Sequence, residues 1–174
     1  MLSELLLPEF DNEIGVTRTV LERVPDDGDK GLWKPHEKSF PLAHLAQLVA
    51  RLPAWVAMVT DRDELDITPR DGPKFPGYSV EKTATLLAEF DTNAKAGREA
   101  IARMSDDLLH QNWSMKMAGE TRYTATKYMA VRQTVLNHLV HHRAQLGLYI
   151  RMLDGKVPQM YGPTADEGKP GSKP

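Results

Sequence analysis

One stretch restricts the fold more than any other: residues 124–153, TATKYMAVRQTVLNHLVHHRAQLGLYIRML. It holds no Pro, and no Gly before Gly147, and Asp154-Gly155 follows as a stop signal. Val131, Val135, His138, His142, Gln145 and Tyr149 recur at alternating spacings of four and three. That rhythm places all six on one face of a helix, with Leu139, Leu146 and Leu153 beside them. The stripe begins as Val and then turns to His, His, Gln and Tyr. A polar segment on a core-facing surface needs partners, because an unpaired buried polar group is costly.

Two readings account for it. Histidines four residues apart project from successive turns, so both imidazoles can reach one metal ion. Alternatively, they are core histidines hydrogen-bonded to polar groups on facing helices. A zincin motif is excluded, since Leu139 follows His138 where H-E-x-x-H requires Glu. Gln145 and Tyr149 continue the stripe as supports for the imidazoles, as substrate contacts or as polar filler at the bundle end. Arg143 lies on the flank, where a surface or interface ion pair is expected ahead of a contact to an anionic substrate. His141 is off-centre and is not counted as a ligand, and His110 is expected to be solvated in a loop.

Three more apolar stripes precede this one. Leu7, Phe10, Ile14, Thr17, Leu21 and Val24 mark a first helix near residues 3–24, whose regular part is expected to begin near Leu7 because of Pro8. Leu45, Leu48, Leu52, Trp55, Val56 and Val59 mark a second near 41–60, which Pro53 should kink. Thr83, Leu87, Phe90, Ala94, Gly97, Ile101 and Met104 mark a third near 79–104, with Ser79 as its cap and Gly97 allowing close helix approach. Between the first two, His36 or Glu37 is a candidate to lean over the site. Residues 61–78, with three Pro and two Gly, read as an irregular connection, and 105–123 as a loop with one turn rather than a hairpin. Val157, Met160 and Tyr161 are expected to anchor a segment folded back over the bundle end. The expected architecture is all-α: one four-helix-bundle domain with long crossover loops over residues 1–167, then a disordered, dispensable tail at 168–174.

Composition narrows the function. There is no Cys, which excludes disulfides, thiolate ligands and a Cys nucleophile. The net charge is −2 and no Lys/Arg cluster occurs, so no nucleic acid partner is expected. The N-terminus lacks a basic region, and the longest apolar run is broken by His44, Gln47, Arg51 and Pro53. A cytoplasmic protein without a membrane partner is the expectation.

Residues 137–167, NHLVHHRAQLGLYIRMLDGKVPQMYGPTADE, together with LWKPHEKSF at 32–40, resemble the DinB/YfiT-like superfamily, a name that refers to damage-inducible genes. The resemblance spans nearly the whole chain. It implies a four-helix bundle, often a homodimer, with a divalent metal on three His, two of which match His138 and His142. It also implies thiol-dependent transfer or isomerisation with a low-molecular-weight thiol. The third ligand of the family falls at Leu48 in this sequence, and His44, one turn earlier, is the tentative replacement. Imidazole ligands alone do not choose among Zn, Ni, Fe and Cu. Three readings follow: a metal-dependent thiol transferase or hydrolase, a non-catalytic bundle binding a small ligand or metal in a stress response, and a dimer whose site has decayed.

Overall fold

The computed structural model describes residues 2–26, 28–72 and 74–167, so the expected tail at 168–174 lies outside the described residues. Its elements are α1 (Leu2–Leu21), α2 (Gly28–Gly31), α3 (Leu42–Arg51), α4 (Trp55–Thr60), β1 (Glu64–Asp66), α5 (Thr83–Ala102), α6 (Asp106–His110), β2 (Asn112–Met117), β3 (Glu120–Thr126), α7 (Lys127–Ala130) and α8 (His138–Met152). A 3₁₀ turn, Leu52–Ala54, joins α3 to α4, and a π-helical segment, Val131–Asn137, joins α7 to α8. The chain is mostly helical. Four long helical runs pack on one another, with α1, α3 and α4 against α5, and α8 against α1 and α3.

The apolar stripes pack into two core clusters, with the partly buried Ile14 against both. Leu6, Phe10, Val56, Ala100, Ile101, Val131 and Val135 fill one half. Val20, Leu45, Val49, Leu86, Phe90, Leu139 and Leu146 fill the other. Pro53 has the expected effect: it lacks an amide hydrogen, and the helix tightens to a 3₁₀ turn there. Gly97 also acts as expected. A Cβ there would collide with the Pro53 carbonyl and stand 2.9 Å from Phe10 Cζ, so glycine lets three helical runs meet. Residues Leu42–Thr60 are long and apolar enough to cross a membrane by composition alone, yet more than half of that span is buried inside the protein.

Several sequence expectations need correction. The structure is not all-α: residues 112–126 form a hairpin, not a loop, and β1 pairs in parallel with β2 to give a three-stranded sheet in the order β1-β2-β3. The turn is Ala118-Gly119, both with positive φ (52° and 84°), the conformation two-residue hairpins need. Ala strongly disfavours it, and the Asp66 carboxylate compensates by accepting from both turn amides, Ala118 N at 3.2 Å and Gly119 N at 2.7 Å. The last helix consequently starts at Lys127 rather than residue 124, with Thr126 as its cap (Met129 N to Thr126 Oγ1, 3.3 Å). Ser79 does not cap α5, which starts at Thr83; the Ser79 amide donates instead to Gln47 Oε1 at 2.8 Å. Helix α1 runs through Pro8 from Leu2 rather than starting near Leu7.

Arg143 is the largest correction. It is 1% exposed and pairs with Glu13 at 2.7 Å, inside the protein rather than on its surface. Its guanidinium also donates to the Glu13 carbonyl and Thr17 Oγ1, both at 3.1 Å, and to Tyr161 Oη at 2.5 Å. Tyr161 in turn donates to Glu13 at 2.6 Å. This network ties the segment after α8 to α1, while Val157 and Met160 pack on the core as expected. Tyr161 anchors through its hydroxyl, with its ring exposed, and not as an apolar contact.

Candidate functional site

The π-helical segment sets the site. Thr134 Oγ1 donates to the Ala130 carbonyl at 2.6 Å, competing for the acceptor that an α-helix assigns to the Thr134 amide. At the segment's end the His138 amide goes to the Val135 carbonyl. The Thr134 carbonyl meets the His138 imidazole instead, with Nδ1 at 3.3 Å. Such π turns inside α-helices are frequent at functional sites.

His138 and His142, four residues apart, bring Nε2 to within 2.9 Å of Nε2. His142 Nδ1 stands 2.8 Å from Gln145 Oε1, and the Gln145 amide nitrogen stands 3.2 Å from His141 Nε2. The two Nδ1 partners are a peptide carbonyl and an amide oxygen, both acceptors, which favours the tautomers with the proton on Nδ1. In the neutral rings both Nε2 lone pairs then face each other. That contact is repulsive unless a proton or a cation lies between them. Burial pushes both imidazoles below the ordinary histidine range; charge repulsion from His142 adds to this at His138, while the Gln145 hydrogen bond opposes it at His142. Burial thus disfavours the proton, and the donor pair fits a divalent cation bound through Nε2, with each Nδ1 held as in histidine-metal centres.

Beside the pair is an open cavity of about 250 Å³ lined by Lys38, Ser39, Phe40, His142, Gln145 and Tyr149. Neither His36 nor Glu37 lines this cavity; residues 38–40 of the same loop do. His36 is exposed; its Nδ1 accepts from the Lys38 amide at 3.2 Å, which shapes the loop. Gln145 and Tyr149 both stand at the site, and Trp33 meets the Tyr149 ring edge-on at 5.5 Å between centroids.

His44 is placed differently. Its ring is sandwiched between Phe40 at 4.2 Å and Tyr78 at 3.7 Å, both nearly parallel to it, and the Arg51 guanidinium lies 5.1 Å over Tyr78. Burial first, then the neighbouring His142, lowers its pKa. Leu48 is half-buried against the core. Among the described residues, no three His, Cys, Asp or Glu side chains are grouped so as to hold a metal. Trp55, read from the sequence only as part of the second apolar stripe, stands edge-on to His138 at 6.4 Å. Phe40 and Tyr78 were not identified from the sequence, because their connections carry no periodicity and only their aromatic content marks them. His110 is exposed as expected, at the end of α6 rather than in a loop, and His141 is exposed as well.

No protein-family model matches the sequence, and no curated protein matches it. Solved structures do. A DinB-like protein of Bacillus subtilis, YjoA, superposes with a TM-score of 0.63 at 13% identity, over 90% of this chain and 97% of that one. A DinB-like protein of Bacillus cereus gives 0.66 at 16% identity, over 89% and 95%. On this likeness, the chain has the DinB-like fold.

Proposed function

We propose that this chain is a divalent-metal-dependent enzyme of the thiol S-transferase or hydrolase type, with His138 and His142 as metal ligands inside a four-helix bundle. The observation that carries this reading is the Nε2–Nε2 contact of 2.9 Å between imidazoles whose Nδ1 atoms both face acceptors. A divalent cation, when bound, lowers the pKa of a thiol or water and so supplies a nucleophile near neutral pH. The chain's own residues do the rest. Thr134 and Gln145 fix the ring orientations, Phe40 and Tyr149 wall the cavity, and Lys38 and Ser39 offer an ammonium and a hydroxyl to the charged end of a small thiol.

Among the described residues His44 is not grouped with the pair as a third ligand, so it can serve only if its ring moves toward them, and Leu48 offers no donor. Two imidazoles with solvent or substrate completing the coordination bind a metal weakly. We therefore expect substoichiometric metal in untagged protein by elemental analysis, a gain of about tenfold or more in affinity on Leu48→His, and loss on His142→Ala. Stoichiometric wild-type metal abolished by His44→Ala would assign the third position to His44, and no gain from Leu48→His would sink the placement of the site. Thiol-dependent turnover of an electrophile by metal-loaded protein tests the chemistry.

The Leu48 and His44 arrangement favours one further reading, a non-catalytic dimeric bundle that is a stress module or has a decayed site; absence of turnover in loaded protein supports it. In either case we propose a cytoplasmic homodimer. Leu148 (58% exposed) and Met152 (50%) lie one turn apart on the outer face of α8 and suit an interface.

A further inference from the structure

A second cavity, about 240 Å³, lies along a different face of α3 from His44 and Leu48. Its walls are Val24, Leu42, Ala43, Ala46, Val80 and Leu86. The hollow exists because α3 presents the small side chains of Ala43 and Ala46 there, and Gly31 lets Val80 pack close at one end. A Cβ on Gly31 would stand 2.7 Å from Val80 Cγ1, so that end is already closed.

One polar side chain in this wall is buried and incompletely satisfied. Gln47 is 2% exposed. Its Oε1 accepts from the Ser79 amide at 2.8 Å. Its Nε2 has two hydrogens, and its one described contact is Ser79 Oγ at 3.4 Å, the outer limit of a hydrogen bond. Ser79 Oγ itself donates to Glu81 at 2.7 Å. With one of its two hydrogens given to this long contact, Nε2 has the other to offer an acceptor placed in the cavity. The other polar residues among those described in the wall, Asp26, Glu81 and Lys82, are exposed. Asp26 already accepts from the Thr83 amide at 3.1 Å, and the surplus of carboxylates disfavours an anion.

We propose that this cavity is a binding site for a neutral, mostly hydrocarbon molecule of about ten non-hydrogen atoms with one carbonyl acceptor, received by Gln47 Nε2. An enclosed cavity of about 150 Å³ holds benzene, so by volume this partly open one has room for a ring with a short substituent. The site is independent of the imidazole pair and needs no metal.

The test is titration of the metal-free full chain, followed by amide proton–nitrogen NMR, with three probes of like shape: acetophenone, isopropylbenzene and benzoate. Acetophenone should saturate shifts at the Gln47 side-chain amide and at Ala43, Ala46 and Val80. Isopropylbenzene, lacking the acceptor, should bind about three- to tenfold more weakly, and benzoate should not bind there. Ala43→Leu, at a half-buried position, should remove acetophenone binding while the helical dichroism is kept. If that variant does not fold, Gln47→Met should erase the preference for the ketone. Absence of saturable shifts at these residues, equal affinity for ketone and hydrocarbon, tightest binding of benzoate, shifts centred on His142, or unchanged affinity in a folded Ala43→Leu would each overturn the proposal.

Discussion

Replacing Glu13 by Gln tests whether the Arg143 network is a desolvated charge pair. Gln keeps the shape of Glu, so no cavity is created and only the charge changes. In the native protein the guanidinium is 1% exposed, and Glu13 is its only described carboxylate partner. Its Nε already lacks a hydrogen-bond partner. Breaking a buried pair by removing one charge costs about 3–5 kcal/mol. The Glu13 carbonyl and Thr17 Oγ1 remain as acceptors, which points to the lower end, about 3 kcal/mol. For a chain of this size that is roughly 6–12 °C in Tm, a large share of a stability of about 5–15 kcal/mol. The assay is urea unfolding followed by helical dichroism, with thermal melts alongside. The double variant Glu13→Leu/Arg143→Met, which removes both charges and keeps apolar volume, should recover most of the loss. A Glu13→Gln variant within about 1 kcal/mol of wild type would mean that water screens the guanidinium, and the argument from burial would fail.

Other outcomes follow from the same physics. Gly97→Ala should destabilise by roughly 1–3 kcal/mol through overpacking against the Pro53 carbonyl and Phe10, read by urea unfolding; a neutral or stabilising result would show that the helices can separate there. His44, His138 and His142 have folded pKa values below the unfolded one, so the unfolded chain binds more protons just below about pH 6.5. Stability should therefore fall as pH drops through 6.5 toward the folded values, and a His138→Gln/His142→Gln variant should show a flatter profile of Tm against pH. Light scattering should give a homodimer that Leu148→Glu weakens; a monomeric wild type at micromolar concentration refutes the interface.

The sequence determined the helices whose stripes are long and regular, because a 3.6-residue repeat of apolar side chains has one way to bury itself. It also determined the close approach at Gly97, the break at Pro53 and the pairing of His138 with His142, since all depend on spacing within one helix or on the chemistry of one residue. The hairpin escaped because Ala118-Gly119 lacks the usual Asn or Asp, and its positive φ at Ala118 is held by Asp66, a residue distant in sequence. Arg143 was misplaced for a related reason. Position on a helical wheel gives its direction, but only packing brings Glu13, Thr17 and Tyr161, from α1 and the final segment, around one guanidinium. The surroundings of His44 were equally illegible. Phe40 and Tyr78 come from irregular connections, and whether an imidazole faces a neighbouring histidine or lies between two aromatic rings is decided by contacts between segments, not by spacing along the chain.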